Sequence, residues 1–200
     1  MRKYILGAGV LFAFSFAAVA ATQITGKTVT IPQGNRINGG SICDAVADNL
    51  VSNCGFELST PCGVTLAGCP DSFLPQWTPS GDLSWFGVTS NAAFVNSGTN
   101  GAFAGPLGDL GYITQTLPTS AGTSYTLTFW LASGIPTNHF VVVWDGSVVF
   151  ELVDSAPFPF TSFVVPNLVA SVDGTDLSFG FYQPPDFWGL DDVIVEAAAK

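Results

Sequence analysis

Positive charge is nearly absent from this chain. Its 200 residues hold five Lys and Arg against fifteen Asp and Glu, for a net charge of −10. Such a chain repels phosphate backbones, which excludes nucleic acid as a partner. Acidic membrane surfaces are disfavoured for the same reason. Helix formers are also scarce, with a single Met and only 10% charged residues. There is one histidine, His139, so no Ser-His-Asp order can be proposed. No Gly-x-Ser-x-Gly elbow, His-Glu-x-x-His pair or phosphate loop is present. Two distant carboxylates can make a glycosidase, but that would be unusual in so small a module. The expectation is a protein that is not an enzyme.

Long apolar runs are missing except at the start. Arg2 and Lys3 precede an apolar or small stretch from Tyr4 to Val19, and Ala18-Val19-Ala20 offers the small residues of a cleavage site. This is the pattern of a secretory signal peptide over residues 1–21. The alternative, a membrane anchor, needs about 20 apolar residues and a charged stop-transfer flank. The expected mature chain starts near Ala21 or Thr22 and is secreted, extracellular or at the cell surface. It retains Lys27, Arg36 and Lys200 against fifteen acids, a net charge of −12. An acidic surface suits divalent cations, and equally it keeps an exported protein in solution.

Cys43, Cys54, Cys62 and Cys69 are the only cysteines. An even number in an exported chain points to disulfides, and four cysteines allow three connectivities. Short loops close easily, which favours sequential pairing. A zinc site is the alternative, but the spacings lack Cys-x2-Cys knuckles.

What is abundant is Phe (17 residues), Val, Thr and turn formers, the composition of a β protein. Residues 22–48 read as an extended lead-in with a possible strand at Lys27–Ile31 and a short helical turn within Ser41–Asn49. Residues 54–80 read as a loop region pinned by the cysteines. Beyond Trp85 the strand signal is regular. In Tyr125–Leu131, Tyr125, Leu127, Phe129 and Leu131 face one way and Thr126, Thr128 and Trp130 the other. Phe140–Trp144 and Ser147–Leu152 flank Asp145-Gly146, a hairpin turn. Phe163–Val165 and Leu168–Val172 follow, split by Pro166. Leu177–Tyr182 alternates, and Gly189–Glu196 is the last strand. Short strands at this spacing predict an all-β jelly-roll sandwich of two antiparallel sheets, with Trp77, Phe129, Phe179 and Phe181 in its core.

Four fragments carry a resemblance. They are Asn49-Leu-Val-Ser-Asn-Cys-Gly-Phe-Glu57 followed by Trp77 and Gly81; Ala104-Gly-Pro-Leu-Gly-Asp-Leu-Gly-Tyr-Ile-Thr-Gln-Thr-Leu117; Ala121–Leu131; and Phe187-Trp-Gly-Leu-Asp-Asp-Val193. Together, over residues 49–196, they resemble galactose-binding-like β-sandwich domains of bacterial extracellular proteins and, more distantly, carbohydrate-binding modules of families four and nine. Such domains open with a strand at the first fragment. They often carry a Pro-Glu-Pro exosortase sorting tail, whereas this chain ends with a short tail at 197–200. The expectation is therefore release or non-covalent attachment. The resemblance implies a structural calcium ion joining the first and last strands, which falls on Glu57 and on Asp191 or Asp192. Calcium takes six to eight oxygens. Neighbouring strand residues face opposite ways, which favours Asp191, with Leu190, Asp192 and Ile194 on the other face.

Aromatic rings can serve as sugar platforms. Trp130 and Tyr182 stand on the polar sides of their strands, so they form a shared ligand face if those strands share a sheet. Phe187 and Trp188, after Pro184-Pro185-Asp186, are further candidates. The expected ligand is an extracellular glycan. The alternative is a structural or self-associating protein of a cell surface or biofilm matrix, with the lead-in adding a strand to a neighbour's sheet.

Overall fold

A computed structural model describes residues 40–62 and 74–198. The signal-peptide segment, the lead-in as far as residue 39 with Lys27–Ile31, Cys69, and residues 199–200 lie outside the described residues. Among the described residues, ten strands form two five-stranded antiparallel sheets. They are β1 (Thr78–Gly81), β2 (Phe86–Thr89), β3 (Gly101–Ala104), β4 (Gly111–Leu117), β5 (Ser124–Ser133), β6 (His139–Trp144), β7 (Ser147–Val153), β8 (Phe158–Val169), β9 (Thr175–Tyr182) and β10 (Trp188–Ala197). The front sheet runs β1-β4-β9-β6-β7 and the back sheet β2-β3-β10-β5-β8. This is the sandwich the composition and strand spacing predict.

Alternation places the core. Phe129, Phe140, Phe179, Phe181 and Trp188 are fully buried between the sheets. Phe129 on the back sheet meets Phe179 on the front sheet with centroids 5.5 Å apart. Trp188 on β10 meets Phe140 on β6 at 5.3 Å. Such close ring pairs add about 0.5–1.5 kcal/mol each beyond area burial. The Asp145-Gly146 turn joins β6 to β7, and both residues have positive φ (52° and 75°), as a tight primed hairpin requires.

Four expectations need correction. Pro166 does not split a strand: β8 runs through it, because β8 is the edge of the back sheet and an edge position needs no N–H there. Asn49–Glu57 is not an opening strand. Residues 52–59 are turns and bends that follow β10, with the Leu50 N–H donating to Val195 O and the Val193 N–H to Cys54 O. Trp130 and Tyr182 share no face, since β5 lies in the back sheet and β9 in the front. Trp188 is no platform, since its ring is 0% exposed.

Cys43 and Cys54 form a disulfide with Cα atoms 6.1 Å apart. A 3₁₀ turn at Ile42–Ala45 carries Cys43 into the core cluster. Cys62 is also disulfide-bonded.

Trp188→Ala is expected to destabilise the domain by about 3–5 kcal/mol. Denaturant titration checks this, and a loss below about 1 kcal/mol would return the residue to the surface.

Candidate functional site

The outer face of the front sheet carries an aromatic residue that the sequence reading missed. One row of paired residues crosses all five strands: Ser80, Tyr112, Gly180, Val141 and Glu151. Gly180 has no Cβ, and the Tyr112 ring occupies that space. A Cβ on Gly180 would stand 2.5 Å from Tyr112 Cε1 and 2.6 Å from Val141 Cγ2. Tyr112 therefore lies over a floor of Gly180 and Val141, half-buried. Burial, then the Asp109 charge, push its phenol above the ordinary range, so it remains a neutral donor and acceptor at physiological pH.

The next row brings Tyr182 opposite His139. His139 Nε2 lies 2.8 Å from Glu151 Oε1, and both side chains are partly exposed. On the other side of Tyr112 a groove of about 410 Å³ is lined by Thr78, Ser80, Thr114, Thr116 and Asp176, among others. Thr116 Oγ1 donates to Asp176 Oδ1 at 2.5 Å. The face thus combines one ring platform with a band of hydroxyls and the exposed carboxylates of Asp176 and Glu151, with exposed Asp109 near the Tyr112 ring. Of the residues picked from sequence, Tyr182 belongs to it. Phe187 sits elsewhere, 5.4 Å from Trp85 and 5.7 Å from Phe103 at the far side of the back sheet. Trp130 is on the outer side of the back sheet and only 9% exposed.

That outer side also holds the carboxylates. Asp191 and Asp192 are both fully buried. Strand alternation assigned them to opposite faces, but the register between β10 and β5 shifts between Asp191 and Ile194, and Asp192 has φ 51°. This bulge, a local extra length of chain, lets both carboxyls meet the same loop. Asp191 Oδ2 accepts from the N–H groups of Asn96 (2.8 Å) and Ser97 (3.1 Å), and its Oδ1 from that of Asp192 (2.8 Å). Asp192 accepts from Asn96 Nδ2 (2.7 Å) and Ser97 Oγ (2.8 Å). Glu57 Oε1 accepts from the N–H groups of Thr99 (2.8 Å) and Asn100 (3.1 Å), further along the same loop. Asn100 Oδ1 is buried with no hydrogen-bond partner.

Burial pushes the Asp191 carboxyl well above the usual range, and the Asp192 charge adds to this. Burial also raises Asp192, against the hydrogen bonds from Asn96 and Ser97. Asp82 is the opposite case. The Ser84 hydroxyl, 2.6 Å away, holds its pKa down at about 2, helped by backbone N–H groups.

Metal-ligand atoms cluster in threes once among the described residues, at Cys43, Asp44 and Cys54. Those sulfurs are bonded to each other, so they offer no thiolate for zinc. The ligand oxygens of Glu57, Asp191 and Asp192 do not gather within 4.8 Å of one another.

No sequence-family model matches this chain, and no curated protein does. Solved structures do match. TmCBM61, solved with β-1,4-galactotriose, superposes with a TM-score of 0.54 over 75% of this chain and 99% of its own, at 16% identity. The K1 cleaved adhesin domain of Lys-gingipain from Porphyromonas gingivalis W83 gives 0.51 over 72% and 96%, at 14% identity. The enzymatically active domain of tailspike protein 4 from bacteriophage CBA120 gives 0.52 at 14% identity, over 76% of this chain but only 22% of that one. At these identities the likeness is one of fold, a two-sheet β-sandwich.

The buried pair sets the pH dependence of stability in the absence of divalent cations. A carboxyl whose folded pKa exceeds its unfolded value binds protons more tightly when folded. Stability then falls as pH rises from about 4 through the raised folded values. The melting temperature in chelator is expected to decline from pH 4 toward neutrality, and Asp191→Asn should flatten that decline. Thermal melts across this range check it, and a profile rising to neutrality would overturn it.

Proposed function

We propose that this chain is a secreted, non-catalytic carbohydrate-binding module whose ligand face is the outer surface of the front sheet. The single observation that carries the reading is the Tyr112 ring held over Gly180 beside a groove of threonine and serine hydroxyls. A sugar ring offers CH groups to an aromatic face and hydroxyls to polar neighbours. The sandwich it shares with TmCBM61, which was solved with a galactan fragment, is consistent with this. The signal-peptide pattern at Arg2–Ala20 supports export.

The second part of the reading is a structural calcium ion at the back sheet. Two adjacent buried carboxylates with no Lys or Arg among the described residues call for a cation, and a hard divalent ion prefers oxygen donors. Asp192 is the better ligand of the pair, because only side chains and one long N–H contact of 3.4 Å from Cys43 reach it. Asn100 Oδ1 offers a further oxygen. Glu57, which accepts from the Thr99 and Asn100 N–H groups of that loop, and Asp191 are the neighbouring carboxylates, and their oxygens would have to draw closer to share the ion. The ion would tie the 96–100 loop to β10 and is remote from the glycan face.

A self-associating surface protein is the second reading. The edge strand β7 favours it, since Val148 and Val153 there are 59% and 58% exposed.

Two variants test the glycan face. Tyr112→Ala should abolish binding on a glycan array while changing stability by about 1 kcal/mol or less. Gly180→Ala should also lose binding by displacing the ring, with a stability loss of about 1–3 kcal/mol from overpacking against Tyr112 and Val141. Retained binding in both, or concentration-dependent light scattering with no glycan bound, would favour self-association instead. For the ion, calcium at a hundredfold excess over its dissociation constant should stabilise the fold by about 2.7 kcal/mol. Chelator should reverse this, and Asp192→Ala should remove the response. Identical melts with and without chelator would sink the calcium assignment.

A further inference from the structure

All five Lys and Arg of the chain, at positions 2, 3, 27, 36 and 200, lie outside the described residues. Of the fifteen Asp and Glu only Asp71 does, so the described sandwich carries fourteen carboxylates and no fixed positive charge. The front face follows the same rule, with an exposed acid on either side of its platform. Asp176 lies four residues from Gly180 along β9, about 13 Å, and Glu151 lies two strands across, about 10 Å. Among the described residues of the face, the one side chain able to carry a positive charge is His139, and Glu151 already engages it.

Among the described residues a uronic acid or sulfated chain would meet no Lys or Arg here, and it would meet the carboxylates of Asp176 and Glu151. A protonated amine on a sugar would meet both acids favourably. Resting on the glycan-face reading above, we infer that the ligand is a glycan bearing free amino groups, such as a de-N-acetylated hexosamine polymer, stacked on Tyr112 and held by Asp176 and Glu151. Thr116 already fixes Asp176, so that carboxylate is positioned before a ligand arrives. The two acids stand far enough apart to contact different sugars of one chain.

The test is calorimetric titration of the full chain with glucosamine oligomers and with their fully N-acetylated twins, which share a backbone and differ in charge. Neutral galactan oligomers and polygalacturonate complete the series. Glucosamine oligomers should bind about tenfold more tightly than the acetylated twins, and polygalacturonate should not bind. The difference should shrink with added salt, because exposed charges are screened beyond about 8 Å at physiological ionic strength. Asp176→Asn and Glu151→Gln should each weaken glucosamine binding about two- to fivefold, while Glu196→Gln on the back sheet should leave it unchanged. Equal loss from Glu196→Gln would reduce the effect to bulk charge and overturn the inference. Tighter binding of galactan or of the acetylated twin would also overturn it and leave the glycan face standing. Failure of every glycan to bind would remove both.

Discussion

The organising constraint of this sandwich is that its carboxylates have no Lys or Arg among the described residues to pair with. Each acid must be exposed, hydrogen-bonded or matched by something from outside. The structure uses the second option to fasten its loops. Asp82 holds the turn at Ser84 and reaches the Gly108 N–H at 2.8 Å. Asp191 gathers the N–H groups of Asn96 and Ser97, and Glu57 those of Thr99 and Asn100. Hydrogen bonds to charged groups contribute about 1.5–3 kcal/mol each, more than most exposed ion pairs. The loops over the back sheet are thus held by carboxyl groups accepting from backbone amides.

That solution is nearly free for an exposed acid and costly for a buried one. Asp82 is mostly solvated, and its donors lower its pKa. Asp191 has three backbone donors at 2.8–3.1 Å and is still raised, because burial and the neighbouring Asp192 outweigh them. Two adjacent charges in a dry setting are unfavourable without a counter-ion. The bulge that brings them together therefore makes little sense as a device for stability alone. It gains a purpose once the pair serves a divalent cation.

Much of this was legible in the chain. Alternation in Tyr125–Leu131 and Leu177–Tyr182 gave the inward residues correctly, because side-chain period is a local property of a strand. Asp145-Gly146 gave the hairpin for the same reason. Sheet membership was not legible. β5 and β9 pair with strands far away in sequence, so nothing local separates Trp130 from Tyr182. The bulge at Asp192 was hidden too, since an Asp at positive φ leaves no mark in the pattern. Tyr112 could have been found. In Gly111–Leu117 it shares its face with Thr114 and Thr116, the same signal that singled out Trp130. What the sequence withheld was the glycine opposite it.

The two candidate sites stand on opposite sides of one aromatic core, and this sets how far they can influence each other. Trp188 opens the strand that carries Asp191, and its indole N–H donates to Tyr182 O at 3.2 Å, next to the proposed ligand face. Its ring also packs on Phe140, one residue from His139 and from Val141. A path of packed groups therefore exists, but spatial continuity alone does not establish coupling. Coupling needs an element with two arrangements, and a close-packed ring cluster between paired strands offers none. The platform itself depends on local contacts, the Tyr112 ring over Gly180 and Val141, which a change at the back loop does not touch. The physical expectation is a division of labour. On the proposed reading, the carboxylate side would govern how much of the protein is folded, and the tyrosine side what the folded protein binds.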